Sequence, residues 1–421
     1  MNYYSTKDKK EIVNFSTALM NGLATQKGLY MPSTIPQLAP EFIQNLAQYS
    51  IQEIAVEILL DYVQPCLSRQ SLTSLVDQAF NFRIPLKALN SQQYILELFH
   101  GPTQAFKDFG ARFMSRAMSL VSQQKTTILV ATSGDTGGAV ANGFYKVDGF
   151  DVIILFPKNK VSPYQKFQMS SLGHNIRALE VEGNFDDCQA LVKQAFSDSL
   201  LKQKVRLSSA NSINIGRLLP QMLYYFEIIR ALNHNFEQLV VAVPSGNFGN
   251  LTAGVLAKKM GLPIHQFIAA TNINDTFPEY LKSGIYMPKA SKPTFSNAMD
   301  VGAPSNFERL IELYNHQFKD LCSDITADSV KDNTTLKAIK EVYDDYQYIL
   351  DPHAAVAKTV LDRTLKAHQT GVVMATAHPL KFESVVQKVI TKFDGVAVDN
   401  SKCQTISLPN CYSDLKDYLL S

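Results

Sequence analysis

Three turns and one lysine hold the residue types that could do chemistry in this chain. PSGNFGN (244–250) follows the apolar run LVVAV and opens a helical stretch. Its two glycines let the backbone approach a ligand, and a helix start offers free N–H groups, so an anion such as phosphate suits it. An ordinary strand-to-helix turn would have the same composition. The Lys and Ser/Thr of a nucleotide P-loop are missing. TSGDTGG (132–138) follows ILVAT and adds the hydroxyls of Thr132, Ser133 and Thr136 and the carboxylate of Asp135. It could bind the carboxylate of a small amino acid, or be a plain turn with Asp135 as helix N-cap. SANSINIGR (209–217) places Asn211, Ser212 and Arg217 at a third such junction. A guanidinium among neutral hydrogen-bonding side chains suits an oxyanion or phosphate, and a capped helix with a solvated Arg is the plainer alternative. Lys107 stands in FHGPTQAFKDFG, between a strand and a helix, with Phe106 and Phe109 beside it. A Schiff-base lysine must be neutral to react, and apolar burial lowers lysine pKa. By composition alone this position reads as a surface lysine.

Other chemistries find no support. The eight histidines have no metal-ligand spacing, and His100, His353 and His378, near the turns, read as structural. The five cysteines are scattered and lack C-x-x-C spacing, as expected of reduced thiols in a cytoplasmic protein. No hydrolase elbow G-x-S-x-G occurs. Lys plus Arg is 40 against Asp plus Glu 38, so the net charge of +2 leaves no footprint for nucleic acid or anionic lipid. No apolar run is long enough for a membrane span, and the N-terminus has no signal-peptide h-region.

The elements that must position these residues follow from periodicity. With 421 residues, 46% of them hydrophobic, the chain can bury a large core in two or three domains. Residues 40–80 read as helical, with strand-like runs thin in this region. From about 93, short apolar runs alternate with amphipathic helices: YILELF (94–99), ILVAT (128–132), VIILF (152–156), IRALEV (176–181), VRLSSA (205–210), LVVAV (239–243) and VVMAT (372–376). That alternation predicts βαβ units and parallel sheets flanked by helices, an α/β fold. Ligands gather at the carboxyl ends of such strands, which is where all three turns fall.

Taken in order, FHGPTQAFKDFGARF (99–113), TSGDTGGA, VSPYQK (161–166), SANSINIGRLLPQ, VPSGNFGN, NAMDVGAPSNFER (297–309), DPHAA (351–355) and ATAHPLKF (375–382) resemble the threonine synthases. NFSTALMNGLATQKGLYMP (14–32) resembles the N-terminal segment of their longer bacterial and fungal type. The resemblance spans nearly the whole chain. It implies fold type II of the pyridoxal-phosphate enzymes (tryptophan synthase β-like) with an added helical N-terminal region. The expected boundaries are 1–85 for that region, 91–390 for a catalytic region whose smaller subdomain covers roughly 110–220, and 391–421 for a C-terminal segment. It further implies a carbon–oxygen lyase that converts O-phospho-L-homoserine and water to L-threonine and phosphate. Lys107 would carry pyridoxal 5'-phosphate; Gly246, Asn247, Phe248 and Asn250 would hold the cofactor phosphate; Thr376 would meet its pyridine nitrogen. Thr132, Ser133 and Thr136 would hold the amino-acid end of the substrate, and Asn211, Ser212 and Arg217 its phosphate. Asp135 stands where related β-replacing enzymes carry Asn, so its role stays open between a hydrogen bond to the cofactor and a cap. A related phospholyase releasing a 2-oxo acid is the alternative activity. A monomer or homodimer is expected, with no metal.

Overall fold

In a computed structural model that describes residues 1–421, the expected apolar runs become strands buried on both faces. Alternate residues of one strand enter different cores. Ile128 and Val130 join the largest hydrophobic cluster, whereas Leu129 and Ala131 join a second one on the opposite face. Leu239, Val241 and Val243 likewise face the large cluster, and Val240 and Ala242 a third. Both faces being covered, such strands read as continuous apolar runs and pair in parallel.

In chain order the strands are β1 Asn2–Ser5, β2 Ile12–Asn14, β3 Tyr30–Pro32, β4 Leu86–Ala88, β5 Gln93–Glu97, β6 Thr126–Ala131, β7 Phe150–Pro157, β8 Ile176–Val181, β9 Leu207–Ser208, β10 Gln238–Pro244, β11 Gln266–Thr271, β12 Ile325–Ser329, β13 Gln369–Ala375 and β14 Thr405–Leu408. The larger sheet has the order β12-β11-β10-β13-β5-β4, parallel except for the edge pair β4–β5. The smaller sheet, β14-β8-β7-β6-β9, is parallel throughout. The segment expected over 391–421 thus supplies an edge strand to the smaller sheet. No helix is long and apolar enough to cross a membrane.

The N-terminal region departs from the helical expectation. Helices Ile51–Val63 and Arg69–Ala79 form, but β1, β2 and β3 make a three-stranded antiparallel sheet. These strands of three or four residues are too short to show a period in sequence. The region is tied to the catalytic body by buried polar contacts. Asn214 Nδ2 donates to the carbonyls of Leu19 (2.8 Å) and Ser209 (3.1 Å), while its Oδ1 accepts from Gly216 N–H (2.9 Å). Arg309 donates to the Tyr30 carbonyl at 2.9 and 3.1 Å and to Asn306 Oδ1 at 2.8 Å. Asn214→Ala strands two buried carbonyls and one N–H, and is expected to lower unfolding stability by about 3 kcal/mol in urea titration. A loss below about 1 kcal/mol would show that docking does not depend on this side chain.

Candidate active site

Each functional turn lies where a parallel strand ends and a helix begins, and five such ends face one cleft. The cleft is small, with about 100 Å³ of internal space, and is partly open to solvent. Lys107, Asp135, Thr136, Ser212, Arg217, Gly246, Asn247, Phe248, Asn250 and Thr376 all line it. Sequence positions spread over most of the chain therefore converge on one cleft.

Lys107 begins the helix Lys107–Val121. The loop ahead of it is fixed from two sides. Asp108, fully buried, accepts from Thr103 N–H (2.9 Å) and Thr103 Oγ1 (2.6 Å). Phe106 N–H donates to the Thr376 carbonyl at 2.8 Å, which pins the lysine opposite the end of β13. Lys107 Nζ lies 5.0 Å from the Phe106 ring centroid and 3.8 Å from Asp135 Oδ2. Burial lowers its pKa, with Asp135 opposing and Lys381 and Arg217 reinforcing the fall.

Asp135 is not a cap. It is the first residue of the helix Asp135–Phe144, whose N-cap is Gly134 at φ 138°, and no side-chain cap bond forms. Its Oδ1 meets Lys381 Nζ at 3.1 Å and accepts from Gln165 Nε2 at 3.0 Å. Burial alone would raise its pKa, but Lys381 and then Lys107 hold it far below the usual carboxylate range. It is an ionised group between two lysines. Thr132, expected at the substrate, turns its hydroxyl inward to accept from Gly134 N–H and Gly137 N–H, both at 2.9 Å. Thr132, Ser133 and Asn211 do not line the cleft; the structure sets them in the turns behind it.

The residues present fit pyridoxal phosphate. From Gly246 to Leu251, six consecutive backbone N–H groups donate to no protein acceptor. Phe248 at φ 60° curls this turn at the start of the helix Gly249–Lys259, where the helix dipole favours an anion. Asn250 Nδ2 is buried without a partner while its Oδ1 accepts from Tyr225 OH at 2.6 Å. The amine of Lys107 matches an aldehyde, and the buried Thr376 hydroxyl a neutral ring nitrogen.

His353, which reads as structural in the sequence, has that role at the site, whereas Asn306 and Lys381 are not singled out there. His353 lines the cleft; its Nδ1 lies 2.7 Å from Asp351 Oδ1, and its Nε2 accepts from Ala298 N–H at 3.2 Å. It holds the loop beside the cofactor turn, a structural duty at the site itself. Asn306 Nδ2 donates to the carbonyls of Asn247 (3.0 Å) and Ser212 (3.3 Å), joining two of the turns. Lys381, inside ATAHPLKF, gave no signal beyond membership of that motif.

Residues 82–376 match the family described as pyridoxal-phosphate dependent enzyme, and residues 2–80 match threonine synthase N terminus. Threonine synthase of Haemophilus influenzae is 47% identical, over 93% of this chain and 91% of that protein. The crystal structure of threonine synthase from Escherichia coli superimposes with TM-score 0.93 at 40% identity, covering 100% of this chain and 99% of that one. The pyridoxal-phosphate-bound threonine synthase from Brucella melitensis gives 0.92 at 35% identity, with 100% and 99% covered. Fold and cleft thus define a fold type II pyridoxal-phosphate enzyme, a lyase. Within that class, the chain belongs to the threonine synthase family and has that family's activity.

Proposed function

We propose that this cleft converts O-phospho-L-homoserine and water to L-threonine and phosphate, with Lys107 as cofactor anchor and proton carrier and Arg217 as receptor for the substrate phosphate. The observation that carries this division is the presence of two anion-ready places in one cleft. One is the row of free N–H groups at Gly246–Leu251. The other is the Arg217 guanidinium, 4% exposed and without a carboxylate partner, whose Nε is unsatisfied. A cofactor phosphate and a substrate phosphate require two such places.

Bound there, pyridoxal phosphate supplies an electron sink that stabilises negative charge developing on the amino acid's carbon skeleton. The neutral Lys107 amine takes the α-proton, since burial disfavours its ammonium form. Free N–H groups of Asp135 and Thr136, which line the cleft and have no protein acceptor, receive the substrate carboxylate. Thr132 acts indirectly, by closing that turn. A second proton leaves the β-carbon as the phosphate, held by Arg217 and Ser212, departs from the γ-carbon; the γ-carbon then takes up a proton, water adds its hydroxyl at the β-carbon, and a proton returns to the α-carbon. Gly246, Asn247, Phe248 and Asn250 retain the cofactor, and Thr376 keeps its ring nitrogen uncharged. The five free cysteines support a reducing, cytoplasmic setting for this enzyme, acting as a monomer or homodimer.

Competition tests the second anion place. L-Homoserine lacks only the phosphoryl group and should compete with O-phospho-L-homoserine about 100-fold more weakly than the substrate binds. Product analysis in the same assay should give threonine rather than 2-oxobutyrate. Competition by homoserine within about threefold of the substrate's own affinity would refute the phosphate receptor.

A further inference from the structure

Lys381 lies just beyond β13, in the turn Pro379–Phe382, and its side chain is fully buried. Its ammonium faces three acceptors: the Thr103 carbonyl at 2.7 Å, Gln168 Oε1 at 2.7 Å and Asp135 Oδ1 at 3.1 Å. Thr103 belongs to the loop that leads into Lys107. Gln168 lies on the helix Pro163–Ser170, and Asp135 opens the helix Asp135–Phe144, both packed with the smaller sheet. Gln168 also donates to the Thr103 carbonyl at 3.0 Å. Lys381 therefore ties the smaller-sheet side of the cleft to the larger-sheet side beside the reactive lysine.

Asp135 is shared unequally. Lys381 stands closer, at 3.1 Å, and Lys107 is left at 3.8 Å. The remaining charges facing Lys107 are the Arg217 guanidinium and the carboxylate of Asp351, which already engages His353 Nδ1 at 2.7 Å. Asp108, next in sequence, is turned away onto Thr103. With Lys381 in place the charge of Asp135 is matched, and a proton added to Lys107 would leave the cluster positive. Without Lys381, Asp135 would pair with Lys107 alone and favour its ammonium, which can neither attack an aldehyde nor take a proton.

We propose that Lys381 is a positioning residue that withholds Asp135 from Lys107 and so keeps the Lys107 amine available as nucleophile and base. The inference rests on the assignment of Lys107 as the cofactor lysine. The role differs from that of a strut, because it depends on the charge of Lys381 and not only on its hydrogen bonds.

The test is the pH dependence of cofactor capture by the cofactor-free full chain, followed by the visible absorbance of the lysine-bound cofactor. Lys381→Met should raise the midpoint of the rate profile by about one pH unit, a tenfold gain in the proton affinity of Lys107. Lys381→Gln keeps a donor but no charge and is read the same way, so failure of the methionine variant to fold leaves the test intact. Lys381→Arg should restore a midpoint near that of the unaltered chain. Gln168→Leu removes one partner of Lys381 and no charge, and should leave the midpoint in place. An unshifted midpoint in both uncharged variants, or a Gln168→Leu shift as large as theirs, overturns the proposal. Lys107→Ala is run alongside: lysine-type capture by that variant would remove the assignment of Lys107 itself, a failure distinct from that of Lys381.

Discussion

Lys107→Ala is expected to eliminate both covalent capture of the cofactor and turnover, with phosphate release falling by at least about 10⁴-fold. Proton transfer by a positioned group alone is worth about 10²–10⁴ in rate, and the proposed function gives this lysine a second duty as the nucleophile that binds the cofactor. The fold should survive. Lys107 Nζ makes no hydrogen bond; its contacts are the 3.8 Å approach to Asp135 and the face of Phe106 at 5.0 Å. Removing it takes away a buried amine that makes no hydrogen bond, so thermal stability of the cofactor-free chain should stay within about 1 kcal/mol of the original. The N–H groups of Gly246–Leu251 are untouched, and the variant should still hold the cofactor noncovalently through its phosphate. Absorbance spectra of the dialysed variant and a phosphate-release assay check both halves. A surviving lysine-type absorbance band, or turnover within tenfold of the original, would place the anchor elsewhere.

The parts of this architecture that were legible in sequence are those whose local pattern is also their tertiary role. β5, β6, β7, β8, β10 and β13 are buried on both faces, so their apolar runs stand out. Most of the unread strands fail that condition. β12 (ITADS) is an edge strand with four half-exposed residues, and β1 and β2 are brief. β11 (QFIAAT) is buried but rich in alanine, which favours helix as readily. β14 reaches the smaller sheet only by pairing with the sequence-distant β8. The same divide runs through the cleft. Gly246, Asn247, Phe248 and Asn250 present unpaired backbone N–H groups, a geometry that a glycine-rich strand-to-helix turn encodes locally. Thr132 had a hydroxyl in the right turn, yet only the folded backbone shows that Gly134 and Gly137 claim it. Lys381 is a lone lysine in a partly apolar run, and its meaning arises only where Asp135, Thr103 and Gln168 surround it.

Arg217→Met is expected to move substrate affinity and stability in opposite directions, which separates a binding role from a structural one. Arg217 has one hydrogen bond of its own, Nη1 to the Ala210 carbonyl at 2.5 Å, while Nε stays unsatisfied. Gly110 leaves it room, since a Cβ there would sit 2.7 Å from Nε. Burial pushes the guanidinium pKa down to about 10, with Asp108 opposing weakly, so the fold carries a cation whose desolvation is poorly repaid. A methionine of similar reach relieves that cost, and the cofactor-free chain should be as stable or more stable by about 1–2 kcal/mol in urea titration. The substrate loses its charge-assisted contact, so KM for O-phospho-L-homoserine should rise about 100-fold, near 3 kcal/mol. Cofactor content should be unchanged, because the proposed place for its phosphate is the row of unpaired N–H groups at Gly246–Leu251. Equal loss of cofactor and substrate would instead put Arg217 at the cofactor phosphate. A marked loss of stability with unchanged KM would make it a strut. A buried cation with no carboxylate in salt-bridge contact is best explained by an anion that arrives with the substrate, and the opposed signs of these two measurements are what that explanation requires.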